Sequence, residues 1–308
     1  MTIKEEILSK VIDKKKQEQK AISYSQYVTY RECPFRWSLK YKEKYFPFDS
    51  NINSVFGTSM HQTIQEWLTL LFTSTVKSSE EYDFQENLSN YMIRAYEKEL
   101  ESNGGVHFIK KEEMEEYFED GLNILYYLRK KRKVLFDYRE WELVAIELPM
   151  FTPVLQDNDI ILYNGFIDML LISKDKKRFR IIDFKSSTRG WTDYQFKDQL
   201  KMDQVLLYKH FFSKQYGIPV EDIEGEFLIL KRKVYEDAEY PIPRHRTYLP
   251  AQGPGKVKQA VANLEKFVVD VFYDDGSYQE KEYEKKPGSA CKFCPFAGNR
   301  ELCNQNVE

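Results

Sequence analysis

Asp183 and Lys185 flank Phe184 in the run RIIDFKSS, Arg180 to Ser187, which otherwise has the texture of a buried strand. Strand side chains alternate faces, so these two point the same way, roughly 6–7 Å apart. An acid and an ammonium so placed are either an ordinary ion pair at a sheet edge, where lysine also discourages aggregation, or part of a site. A second acid, Asp168, lies in the preceding run DIILYNGFIDMLLIS, and the polar link SKDKKR joins the two runs. An even-length turn centred on Asp175 and Lys176 sets Asp168 opposite Asp183, with Cβ atoms roughly 4.5–5.5 Å apart. Two anions that close raise each other's pKa unless a cation lies between them. A divalent ion with oxygen ligands, Mg²⁺ or Mn²⁺, answers that need. An odd-length turn would put the acids out of register, and Asp-Lys is not a favoured two-residue hairpin loop.

The elements around this pair read as α/β. Residues 1–20 are charge-dense and nearly free of aromatics, suiting a solvated helix or a loose tail. From Ser23 the pattern predicts a short helix interrupted near Pro34. SVFGTSMHQTIQEWLTLLF sets Met60, Ile64, Trp67, Leu68 and Leu71 at helical spacing, and further helices are predicted at 84–101 and 111–133. From about Trp141 the texture turns to strand, in WELVAIELPMF and then the two runs above. DYQFKDQLKMDQVLLYKHFFSKQYG is helical with Gly217 as its stop; IEGEFLILKRKVY is a strand and 256–272 a last amphipathic helix.

The chain has 308 residues, 42% hydrophobic and 15% aromatic, enough for a sizeable core. No apolar run approaches the ~18 residues of a membrane span, and the N-terminal stretch lacks the apolar centre of a signal peptide, so a soluble cytoplasmic protein is expected. A net charge of -3 removes any argument from global basicity for a nucleic-acid partner. Local basic clusters stand at Arg129–Lys133, around Lys176, at Lys231–Lys233 and at Arg244–Arg246. All four cysteines are Cys33, Cys291, Cys294 and Cys303. In a cytosolic chain a C-x-x-C pair plus two more suggests a metal clasp rather than disulfides.

Four ordered motifs resemble the RecB-like branch of the PD-(D/E)xK nuclease superfamily, which includes the AddB nuclease domain, CRISPR-associated RecB-like exonucleases and phage enzymes. They are GTSMH (Gly57–His61), GFID (Gly165–Asp168), DFK (Asp183–Lys185) and QVLLY (Gln204–Tyr208). The resemblance covers most of residues 21–304. It implies a restriction-endonuclease-like core: a mixed central β-sheet flanked by helices, with an N-terminal helical part (21–135), an α/β nuclease core (136–235) and a C-terminal helix and cysteine clasp (256–308), forming a single nuclease domain over 21–308. It further implies that His61, Asp168, Asp183 and the backbone carbonyl of Phe184 bind metal, and that Lys185 orients or deprotonates the attacking water. Gln204 and Tyr208, one helical turn apart, would hold the nucleic-acid backbone or brace the site. Glu147 is a further acid nearby, expected not to be a direct ligand.

Relatives with this cysteine arrangement hold a [4Fe-4S] cluster. The gap from Cys294 to Cys303 is longer than their usual one and leaves tetrahedral zinc open. The implied activity is that of a Mg²⁺- or Mn²⁺-dependent deoxyribonuclease, an exonuclease on single-stranded or frayed DNA ends. The pathway could be DNA repair, recombination, CRISPR or phage DNA metabolism. Because no helicase motif is present, a helicase partner would be another chain. The alternative is a non-catalytic DNA-binding or scaffolding subunit, whose signature would be a broken site. No expected acid, histidine or lysine is missing.

Overall fold

The computed structural model describes residues 3–11, 18–235, 240–299 and 301–303. Along the chain come α1 (Ile3–Ser9), β1 (Lys20–Ser23), α2 (Tyr24–Glu32), α3 (Pro34–Trp37), α4 (Ile52–Thr73), α5 (Val76–Glu81), α6 (Phe84–Ser102) and α7 (Lys111–Leu135). Then follow β2 (Trp141–Pro153), β3 (Ile161–Ser173), β4 (Phe179–Ser187), α8 (Asp193–Lys197), α9 (Gln199–Tyr216), β5 (Ile223–Lys231), β6 (His245–Tyr248) and α10 (Pro254–Val271). No helix is long and apolar enough to cross a membrane among the described residues.

Local chemistry sets the ends of these elements. Ser23 caps α2 by accepting the Gln26 N–H, and the predicted interruption falls at Cys33, with Pro34 at the first position of α3. Asn51 and Ser54 close a reciprocal capping box at the start of α4. Gly217 ends α9 in the left-handed region, at φ 71°. The run read from sequence as one helix before Gly217 is two, α8 and α9. Asp198 takes an extended backbone between them and caps α9 through the Leu200 N–H. The N-terminal stretch is not wholly solvated, because Ile7 of α1 is 2% exposed and Lys4 Nζ donates to the Leu143 carbonyl. Part of that stretch, residues 12–17, lies outside the described residues, as do 304–308 at the end of the expected clasp.

The sheet is mixed and six-stranded, in the order β1-β3-β4-β5-β6 with β2 also pairing with β3. β1 and β3 are parallel, β3 and β4 antiparallel, β4 and β5 parallel, β5 and β6 antiparallel. The described residues group into two compact units, one drawn from 3–11, 50–148, 166–235 and 240–256, the other from 18–49, 149–165, 257–299 and 301–303.

In the first unit, α4, α6 and α7 cover one sheet face. Ile64, Trp67, Leu68, Leu88, Ile124, Leu125 and Leu128 pack there against Met169, Leu171, Ile182, Phe184, Leu228 and Leu230. The opposite face carries Phe227 and Ile229 beneath Trp191, Phe196, Met202 and Val205 of the α8–α9 region. By strand alternation Asp168, Asp183 and Lys185 belong to this second face. In the second unit, Trp37 is fully buried, with Tyr30, Phe267, Phe272, Tyr278 and Tyr283 around it at centroid distances of 5.4–6.1 Å. Phe35, Leu39, Phe296, Cys294, Leu302 and Cys303 form a smaller cluster beside the chain's last cysteines.

Candidate active site and cysteine cavity

The hairpin of β3 and β4 takes the register that the centred turn requires. Met169 pairs with Ile182, Leu170 with Ile181, Leu171 with Arg180 and Ile172 with Phe179. The loop has four residues, 174–177, closed by a Ser173 N–H bond to the Arg178 carbonyl and by Lys176 in the left-handed region at φ 61°. An even-length loop about the same centre keeps the register while avoiding the disfavoured two-residue Asp-Lys turn. Asp168 and Asp183 therefore come next in line, one position beyond the last registered pair.

Asp168 Oδ2 accepts the Phe184 N–H at 2.8 Å and lies 3.6 Å from His61 Nδ1. Asp183 is 1% exposed, with Oδ2 at 2.8 Å from Lys185 Nζ. That contact lacks hydrogen-bond geometry, and Asp183 Oδ2 is a buried acceptor without a hydrogen bond among the described residues. Burial, and then the Asp183 charge, push the Asp168 carboxyl well above the usual carboxylate range, against the Lys185 ammonium and the Phe184 N–H. Burial also lowers the His61 pKa; the Asp183 charge opposes this, as does a backbone hydrogen bond to Phe184, which for a ring N–H donor means its carbonyl. So His61, Asp168, Asp183, Lys185 and the Phe184 backbone converge, although they come from α4, β3 and β4.

The structure adds a residue that sequence reasoning set aside. Ligand atoms of His61, Glu147 and Asp168 lie within 4.8 Å of one another, and this is the only such group of three His, Cys, Asp or Glu among the described residues. An imidazole with two carboxylates fits a hard divalent cation; Asp183, whose buried Oδ2 is open, is not part of this group of three. Gln204 and Tyr208 share a face of α9, where Gln204 Nε2 donates to Tyr208 Oη at 3.1 Å, so each fixes the other.

Gly57, the first residue of the motif that ends in His61, lines an open pocket with Thr58, His61, Gln62, Gln65 and Glu147. A Cβ at Gly57 would meet only Ser186 Oγ, at an ordinary 3.7 Å, so space does not demand glycine there.

In the second unit, Cys33, Cys291, Cys294 and Cys303 line one cavity together with Phe35, Leu39, Pro287 and Phe296. All four are free thiols. The Arg36 N–H points to Cys33 Sγ at 3.4 Å and the Gly288 N–H to Cys291 Sγ at 3.5 Å. No three of the sulfurs lie within 4.8 Å of one another. A tetrahedral zinc site, with Zn–S of ~2.3 Å, would draw them to roughly 3.8 Å.

Two acids on adjacent strands, a lysine two residues on and a helix-borne histidine are the parts of a cation-assisted hydrolytic site. The chain belongs to the PD-(D/E)XK nuclease superfamily, whose family model matches residues 21–303. No curated protein matches the chain.

Proposed function

We propose that the protein is a Mg²⁺- or Mn²⁺-dependent deoxyribonuclease acting as an exonuclease on single-stranded or frayed DNA ends. The observation that carries the hydrolytic reading is that His61 stands beside Asp168 while Asp183, on the adjacent strand, keeps an unbonded buried oxygen beside Lys185. His61, Asp168, Asp183 and the Phe184 carbonyl would hold the cation, which when bound acidifies a coordinated water and offsets charge on the scissile phosphate. Lys185, 31% exposed in its side chain, orients the attacking water and balances the phosphate charge. Gln204 and Tyr208 brace the α9 side of the site.

A nucleic-acid partner is supported by the strand registers. Lys185 pairs with Ile229 and Ile229 with Arg246, so Arg246 stands on the same face as Lys185, two strands away. Lys231, paired with Ser187, and Arg244, bonded through its carbonyl to the Lys231 N–H, form the next row. None of Lys231, Arg244 and Arg246 makes a salt bridge with a described carboxylate. Arg246 instead lies over the Phe196 ring, 3.9 Å from its centroid. Beyond β4, the Arg189 guanidinium lies 5.6 Å from the ring of Tyr235, and Tyr235 and Tyr194 are 67% and 80% exposed. Cations beside open aromatic rings suit a flexible strand whose bases stack, which supports single-stranded or frayed ends.

The cysteine cavity would hold a [4Fe-4S] cluster with a structural role. The four cysteines line one cavity, which supports a shared metal group there. The deciding experiment incubates end-labelled single- and double-stranded DNA with Mg²⁺ or Mn²⁺ and compares the protein with Asp183→Ala. Metal-dependent shortening from one end, lost in the variant, is expected. Binding without cleavage in the unmodified protein would refute the nuclease reading, and internal cuts would refute the exonuclease one.

A further inference from the structure

Glu147 sits inside β2 with φ +50°. Among the described residues, the other non-glycine positions with positive φ, Lys44, Asp137 and Lys176, lie outside the regular interiors of strands and helices. A glutamate in that region is strained, and such strain persists only where the surroundings over-determine it.

The strand also slips phase at this point. Trp141 and Leu143, two apart, pack against the core under α4, α6 and α7, but the next residue of β2 in that core is Ile146, three further on. One extra residue has been taken up, which is the effect of a β-bulge. Regular alternation from Trp141 and Leu143 would turn Glu147 into that apolar core. The slip takes it out of that core, and its carboxylate joins His61 and Asp168.

Gln65 meets this carboxylate. It lies on α4 one turn beyond His61, is 7% exposed, and donates from Nε2 to Glu147 Oε1. Glu147 is itself exposed, and the bond to this buried amide holds one of its oxygens beside the site.

We propose that Glu147 is a further protein ligand of the cation, and that Gln65 and the strained bulge are the device that positions it. This rests on the metal-dependent reading above. Gln65 is a positioning residue: it acts on the cation only through Glu147.

The test measures Mn²⁺ binding by titration calorimetry, at a temperature where every variant is fully folded, and thermal unfolding in EDTA. Glu147→Gln is expected to weaken Mn²⁺ binding by about 10- to 100-fold, and Gln65→Met, which keeps volume but removes the donor, by about 10-fold. In the Glu147→Gln background, Gln65→Met should produce no further loss. Glu147→Gly, free to adopt the same backbone without strain, should melt above the unmodified protein in EDTA yet bind Mn²⁺ as poorly as Glu147→Gln. Unchanged Mn²⁺ affinity in Glu147→Gln overturns the ligand assignment. Losses that simply add in the double variant overturn the positioning role, and a melting temperature for Glu147→Gly that does not rise overturns the strain. Asp183→Asn separates these failures from failure of the nuclease reading: if it too binds Mn²⁺ unchanged, the cation site itself is absent.

Discussion

Asp168 accepts the backbone N–H of Phe184 across the hairpin, so the acid of one strand is bonded to the residue that separates Asp183 from Lys185 on the other. The position of the Asp168 carboxyl is thereby tied to the main chain of β4. That arrangement suits a site that must be formed before its cation arrives.

In metal-free protein this has a pH consequence. Burial and the Asp183 charge raise the Asp168 pKa, so between the ordinary carboxylate value and the raised one the folded state holds a proton that the unfolded chain has lost. Stability therefore falls as pH rises through that window. Asp168→Asn removes the effect, and its gain in melting temperature over the unmodified protein in EDTA should be smallest near about pH 4 and grow toward about pH 8. Adding Mg²⁺ should reverse the order. Calorimetry at several pH values checks this, and a gain independent of pH would contradict it.

Lys185→Ala should lower the cleavage rate by about 10²- to 10⁴-fold, the usual range for loss of a proton-transfer group, while changing DNA affinity little. Single-turnover kinetics at saturating protein separates the two quantities. A loss confined to affinity would make Lys185 a phosphate contact only.

The cationic rows on β5 and β6 can be read through salt. Replacing Lys231 or Arg246 by Ala should weaken single-stranded DNA binding, and each should reduce the slope of log affinity against log salt by about 0.7. Binding is measured without divalent cation, so that cleavage does not interfere. An unchanged slope in both variants would move the strand off this face.

Much of this site could be read from residue order, and the exceptions have physical causes. Asp168 and Asp183 were legible because both runs have strand texture and the link between them is short and even, which leaves little freedom in register. Glu147 was not, because its side-chain direction depends on the one residue that breaks alternation, and no glycine marks that place. The four-residue strands β1, KAIS, and β6, HRTY, carry too few apolar residues to announce themselves. Their pairing is supplied by neighbouring strands. His61 stood out by resemblance alone, since a histidine on an amphipathic helix is ordinarily a packing residue.

Support of the His61 helix makes a stability prediction. Gly121 of α7 faces α4 and α6 so closely that a Cβ there would fall 2.7 Å from Leu88 Cδ2, 3.1 Å from Phe56 Cε2 and 3.2 Å from Met60 Sδ. Gly121→Ala gains about 1 kcal/mol of helix propensity, yet overpacking costs about 1–3 kcal/mol. Urea unfolding should show a net loss. A stabilised variant would mean that these side chains move aside freely.

Anaerobically purified protein should absorb broadly near ~400 nm. Cys303→Ser, at a buried position of the cavity, should lose that band and melt lower, because the group would join chain segments far apart in sequence. A zinc site would show no band, and a band lost without any change in melting would remove the structural role.

The loop joining the two catalytic-face strands, residues 174–177, sits at the far tip of the hairpin, with four registered pairs between it and the acids. Covalent continuity and chemistry are thus separated by roughly 13 Å of ladder. The tip is a place where the chain can be opened, lengthened or given a fluorescent reporter while the acids keep their alignment.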